Sequence, residues 1–348
     1  MKHKQDEAPR GHFVLGTGRC GSTMLSDILQ LHPDIVSLSE VFTYLGTSAL
    51  LPGRVSGAGY WRRLSVQTPL YRRLFTAETA PAEFLYPNIG GRFAPDNVPP
   101  ILATTLPHLT DTPDALFDTL GAWAIRQPPR RMAAHHQALF DHLAEIRGLP
   151  VWVERSGLSM MQARVLRQSF PDAGFVFLFR DGRDVALSLR DFLPARLIIW
   201  SWFLFRRLGA NPIAQAAPTG ASRKLALYER LFTPVFPVSR ALATPPPLKA
   251  CAGFWSEMVL GALDAYRALP REKRMALGYE ALCAAPRGEL VRLGRFLKVK
   301  RYSGWLTMAA RLPEPRPSRW QALPQDQRDT LCTATEEARA AVATVLDG

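Results

Sequence analysis

An apolar run, His12-Phe13-Val14-Leu15, is followed directly by the turn Gly16-Thr17-Gly18-Arg19-Cys20-Gly21-Ser22-Thr23, and then by Met24-Leu25-Ser26-Asp27-Ile28-Leu29 with helical spacing of its apolar side chains. A buried strand, a glycine-rich turn and a helix start in that order leave a chain few folds to choose from. Such a turn aims backbone N–H groups and a helix N-terminus at one point, which suits a phosphate or a sulfate. A nucleotide-triphosphate loop would carry lysine after its last glycine. Here Ser22 stands in that place, and the cation comes earlier, at Arg19.

Five short apolar segments, 13–15, 35–38, 151–153, 175–179 and 275–277, read as buried parallel strands. Helical patterns fall between them at 22–31, over much of 113–147, and at 158–169, 184–192 and 254–269. This alternation predicts an α/β fold with a parallel central sheet flanked by helices. Two stretches interrupt it, 47–111 and 194–248, both irregular or helical and rich in proline. Long insertions in a single compact domain are usually functional, and these two are the natural lids of an acceptor site.

The 348 residues can bury a substantial core. Lys and Arg outnumber Asp and Glu by 43 to 30, a formal charge of +13, so an anionic partner is expected. The four cysteines are scattered without a Cys-x-x-Cys pair, which argues against a zinc site and a disulfide framework. Residues 1–10 lack an apolar signal core, and the expected location is cytoplasmic. The most apolar run, 197–205, is too short to span a bilayer. With Arg206 and Arg207 behind it, it could touch a membrane surface peripherally or line an apolar pocket, though burial under neighbouring loops is the first expectation.

Read alone, the loop has three meanings. Gly16-x-Gly18-x-x-Gly21 matches a dinucleotide fingerprint, and Glu40 ends the second strand where a ribose-binding acid would stand. Against this, Arg19 would crowd a pyrophosphate, and Ser22 and Thr23 offer hydroxyls that a dinucleotide loop does not need. A tight turn without ligand is the third. A second segment breaks the tie: the apolar strand 175–179 stops at Arg180, at a strand's carboxyl end, and Ser188 follows in the next helix. Arginine, hydroxyl and helix N-terminus make a second anion site. Asp181, Arg183 and Asp184 are read as capping and pairing residues of that helix.

The loop, the segment Phe179-Arg180-Asp181-Gly182-Arg183-Asp184-Val185-Ala186-Leu187-Ser188, and Tyr279-Glu280-Ala281-Leu282 with Pro286 and Phe296-Leu297 together resemble sulfotransferases that use 3′-phosphoadenosine 5′-phosphosulfate (PAPS). The resemblance runs from about 13 to 320, the two insertions unmatched. It implies a fold like that of P-loop NTPases, with PAPS as co-substrate and no metal. It places Arg19, Cys20, Gly21, Ser22 and Thr23 at the 5′-phosphosulfate, and Arg180 and Ser188 at the 3′-phosphate. Tyr279 falls on a cofactor contact, and Ser318-Arg319-Trp320 looks like a late segment that closes over the cofactor.

The pattern is closest to the branch containing tyrosylprotein sulfotransferases, where a His-Pro-Asp turn (here His32-Pro33-Asp34) leads to a glutamate. The family's catalytic base falls on Glu40, and Arg155 stands where relatives place a lysine near the transferred group. Chemistry agrees: in-line transfer needs positioning, charge stabilisation by Arg19 and Arg155, and a carboxylate to take the acceptor's proton. His32 is read as shaping its turn, and His135 and His136 as exposed. A nucleotide-dependent kinase and a non-catalytic NAD- or anion-binding module are the alternatives. Small-molecule, lipid, saccharide and peptide acceptors all present the required hydroxyl; nucleic acid is not expected as a partner.

Overall fold

The computed structural model describes residues 10–45, 49–68, 71–72, 83–207, 238–300 and 302–347. Parts of both expected insertions, 46–48, 69–70, 73–82 and 208–237, lie outside the described residues. Each expected strand is present and slightly longer: β1 (Arg10–Gly16), β2 (Ile35–Ser39), β3 (Val151–Ser156), β4 (Gly174–Phe179) and β5 (Arg274–Gly278). All pair in parallel, in the order 2-3-1-4-5.

Helices cover both faces of the sheet, so the strands are buried over most of their length and their central residues read as apolar runs instead of alternating ones. Period-2 geometry then sorts the side chains. Phe13, Trp152, Phe175 and Phe177 enter one core with the helices α6 (Leu248–Arg267) and α8 (Gln325–Leu346). Val14, Val153, Val176 and Leu178 enter the other with α1 (Ser22–Gln30) and α7 (Pro286–Phe296).

The pattern over 113–147 divides into α2 (Pro113–Ile125) and α3 (Met132–Ile146). Pro128-Pro129 between them cannot continue a helix, and Arg130–Arg131 instead pairs antiparallel with Arg54–Val55. Two further helices follow β4: α4 (Gly182–Asp191) and α5 (Leu193–Arg207). The apolar run 197–205 lies in α5 and is buried along one face, with Leu197, Ile199 and Trp202 inside. Among the described residues α6 forms part of its cover: Trp202 packs edge-on against Phe254 at 5.6 Å, and its indole N–H donates to Glu257 at 3.1 Å. Among the described residues no helix is long and apolar enough to cross a membrane.

The expectation that His135 and His136 are exposed is overturned. Residues 49–65 fold over that face of α3 and bury both rings. His136 Nε2 lies 2.8 Å from the Ala49 carbonyl and Nδ1 3.0 Å from the Tyr60 hydroxyl; His135 stacks on Tyr60 at 4.7 Å and reaches the Val55 carbonyl. Burial pushes His136 down to about 4, and likewise His12 and His108. A histidine held neutral in the fold stabilises above its unfolded value of 6.5, and that stability is lost as pH falls through the folded value.

Glu154, buried and pushed up to about 8, acts in the opposite sense from pH 8 down to 4.5, offsetting one of the three rings. At about 1.4 kcal/mol per unit, the net expectation is a loss of up to roughly 5 kcal/mol between pH 6.5 and 4.5. Urea unfolding across that range checks it. A flat profile would mean that the rings are not held neutral.

Candidate active site

Because all five strands run the same way, their carboxyl ends share one edge, and each delivers a residue there. β1 runs into the glycine loop, β2 into Glu40, β3 ends in Arg155-Ser156 and Gly157, β4 into Arg180 and β5 into Tyr279. A single cleft of about 390 Å³ lies along this edge and is lined by all five groups. That is where open α/β sheets bind ligands. In a dinucleotide fold of order 3-2-1-4-5-6, β2 would neighbour β1 and bring its acid to the loop. Here β3 stands between them, a displacement of about 5 Å per strand. The ribose role for Glu40 therefore has no geometric support.

The loop passes through left-handed backbone, which glycine adopts freely and Arg19 only under strain. Gly18, Arg19 and Gly21 have φ of 69°, 56° and 90°. Gly21 is the N-cap of α1 and supplies no side-chain cap, so the first-turn N–H groups are left for a ligand. A Cβ on Gly21 would stand 2.5 Å from the Tyr279 ring, which explains why the helix begins on glycine. Ser22 and Thr23 line the cleft, whereas the Cys20 side chain is buried beneath the loop and does not.

Four non-glycine residues have positive φ among the described residues, and three of them, Arg19, Glu40 and Leu158, line this cleft. Backbone strain of about 1–3 kcal/mol each persists only where surrounding structure enforces it, and it gathers at functional sites.

Arg19 crosses the cleft mouth. Its Nε donates to Ser188 Oγ at 3.0 Å, and its guanidinium lies 5.0 Å from the Phe192 ring. Arg180 lies over Tyr279 at 4.6 Å and donates to the Arg19 carbonyl at 3.3 Å. Arg19, Arg180 and Ser188, which the sequence reading divided between two expected anion sites, are thus in direct contact. Tyr279 is fixed in turn by donating to the Glu314 carbonyl at 2.7 Å, and Glu280 accepts from the Asp181 N–H at 2.9 Å, holding the turn that carries Arg180.

Glu40 and Arg155 form a buried ion pair through Oε1 and Nη1, with side chains only 8 % and 3 % exposed. Glu40 Oε2 accepts from Gly157 N–H at 2.9 Å and from the Thr43 hydroxyl. Arg155 Nη2 reaches Ser39 Oγ at 3.4 Å, and its Nε has no hydrogen-bond partner among the described residues. The carboxylate is therefore gripped from three sides, in the wall of the cleft.

Asp181 caps α4, accepting from Arg183 N–H at 2.9 Å, and it also pairs with the Arg183 side chain. Asp184 plays a different part from the cap expected of it. Its carboxylate accepts from Ser318 Oγ and from the Arg319 and Trp320 amides, clamping the C-terminal segment to α4. That clamp turns the Arg319 side chain to Asp191 at 2.7 Å, outside the cleft lining, and Arg316 is the arginine of this segment that lines it. His32 does hold its turn, accepting from Asp34 N–H at 3.1 Å.

Sequence reading missed Glu83, Thr43 and Arg316. Glu83 accepts from Thr23 at 3.1 Å and lies 3.9 Å from Arg19, yet it stands in the irregular stretch 47–111, where no periodicity marks it.

No family model and no curated protein matches the chain. Among solved structures it is similar to a sulfotransferase domain from the curacin biosynthetic pathway, at 14% identity and TM-score 0.48 over 97% of this chain and 99% of that one. It is also similar to the sulfotransferase domain from the Synechococcus PCC 7002 olefin synthase, at 15% identity and TM-score 0.46 over 99% and 98%. Sulfotransferase STF9 from Mycobacterium avium is a third, at 15% identity and TM-score 0.44 over 98% and 77%. These are likenesses of chain course at low identity, and the chemistry of the cleft has to be argued from its own side chains.

Proposed function

We propose that this chain is a sulfotransferase that moves a sulfuryl group from PAPS to an acceptor hydroxyl. The observation that carries the reading is the convergence of an uncapped helix N-terminus, Arg19, Arg180 and Ser188 on one side of a cleft with a gripped carboxylate, Glu40, on the other. The first group offers a helix N-terminus, two guanidinium groups and a hydroxyl to a ligand with more than one anionic group. The second matches a proton acceptor held for a hydroxyl.

In this reading the acceptor oxygen attacks sulfur in line with the bridging oxygen of the donor. A new S–O bond forms, the S–O bond to the leaving phosphate breaks, and the acceptor proton passes to Glu40. The products are the sulfated acceptor and 3′-phosphoadenosine 5′-phosphate. Loop amides with Ser22 and Thr23 hold the 5′ end, and Arg19 meets the charge that gathers on the departing oxygen. Arg180 and Ser188 take the 3′-phosphate, and Tyr279 supports Arg180.

Arg155 orients Glu40 from the wall of the cleft. A kinase reading lacks a lysine after Gly21. An NAD reading lacks the strand order.

Ligand-induced melting tests the donor. A ligand at 100 times its Kd stabilises by about 2.7 kcal/mol, several degrees of Tm for a chain of this size. 3′-phosphoadenosine 5′-phosphate is expected to give that shift, with ATP and NAD giving far less. Equal shifts from all three would sink the proposal.

A further inference from the structure

One wall of the cleft has no part in gripping anions. It is built where α4 passes into α5, from Leu189, Phe192, Pro194, Ala195 and Ile198, all lining the cleft beside Arg19. Two of the cations of that corner are turned away: Arg190 Nε donates to the Pro246 carbonyl, and Arg196 donates to the Arg190 and Leu242 carbonyls. No side chain of the wall itself donates or accepts a hydrogen bond. Beyond it α5 is anchored to α6 through Trp202, and Trp200 donates to the Thr244 carbonyl at 2.9 Å. The wall is therefore a fixed surface.

Resting on the sulfotransferase reading above, we infer that the acceptor is an uncharged alcohol with an apolar body, its hydroxyl at Glu40 and its body on the wall formed by Phe192, Pro194, Ala195 and Ile198. A saccharide laid here would lose the water bound to several hydroxyls and find no partner for them along this wall, at about 1–3 kcal/mol for each unsatisfied group. A carboxylated or sulfated acceptor would find Arg190 and Arg196 bonded to carbonyls, and Arg19, over Phe192, is assigned to the donor. An alkyl or aryl body instead gains about 25 cal/mol for each Å² removed from water. Arg19 over Phe192 marks where wall and transfer point meet.

Calorimetry on the full chain saturated with 3′-phosphoadenosine 5′-phosphate tests this directly, with 1-octanol, 2-naphthol and methyl glucoside as probes. The two apolar alcohols are expected to bind at least about tenfold more tightly than the glucoside, with the negative heat-capacity change of apolar burial. Ile198→Asp is expected to weaken them at least about tenfold through desolvation of the new carboxylate, and to leave the melting shift from 3′-phosphoadenosine 5′-phosphate unchanged. If Ile198→Asp folds poorly, Phe192→Leu replaces it, with a smaller loss in the same direction. Preference for the glucoside, or an unchanged affinity for the apolar alcohols in both variants, would overturn the inference while leaving the donor site standing. Loss of the nucleotide shift in the parent protein would instead strike at the sulfotransferase reading.

Discussion

Glu40→Gln is expected to lower the transfer rate about 10²- to 10⁴-fold, the range that a positioned general base supplies. Affinity for 3′-phosphoadenosine 5′-phosphate should stay within about twofold, because Glu40 stands at the acceptor end and the loop amides, Arg180 and Ser188 are untouched. Glutamine is the informative replacement. Alanine would leave Arg155 buried without its counter-charge, and breaking a buried pair from one side costs about 3–5 kcal/mol. The amide keeps an oxygen for Arg155 or for the Gly157 N–H and removes the capacity to take a proton. Single-turnover kinetics with excess enzyme read the chemical step, and a melting curve reads the fold. Near-parental turnover in a folded Glu40→Gln protein would move the base elsewhere, and Arg155 would lose its positioning role with it.

Arg180→Ala is expected to weaken 3′-phosphoadenosine 5′-phosphate by about 10- to 100-fold, as loss of a charge-assisted contact of roughly 1.5–3 kcal/mol implies. Adenosine 5′-phosphate, which lacks the 3′ group, should lose much less. The residue is partly exposed and, among the described residues, bonds the Arg19 carbonyl and the Tyr279 face, so its removal disturbs little of the core. The ratio of the two dissociation constants, measured by calorimetry, isolates the 3′-phosphate. An identical loss for both nucleotides would show that Arg180 braces the loop through Arg19 and does not grip phosphate.

The sheet was legible because it is buried on both faces. Every residue of β4 is buried, and Phe175-Val176-Phe177-Leu178-Phe179 stands out in the sequence without any template. The residues that follow the strands were legible for a related reason. A strand end at the binding edge has no regular partner for its next residue, so Arg180 appears as an abrupt polar break after an apolar run, while Arg19 and Glu40 follow their strands after short glycine or serine stretches. His135 and His136 were misread because helical spacing says which residues share a face, not what will be folded over it. Asp184 was misread for a similar reason: a carboxylate near a helix start is a good cap, but the partners it found lie 134 to 136 positions away.

The sequence by itself determined the α/β alternation, the glycine turn with its misplaced cation, and which polar residues follow the strands. Those features are set by local spacing and by what a buried strand excludes. Only the tertiary structure decided that β3 separates β2 from β1, which strips Glu40 of a ribose role and sets it against Arg155. It also decided that Arg316 and not Arg319 faces the cleft, and that an apolar wall stands beside Arg19. Strand order and long-range pairing depend on which surfaces bury one another, and no window of neighbouring residues carries that information.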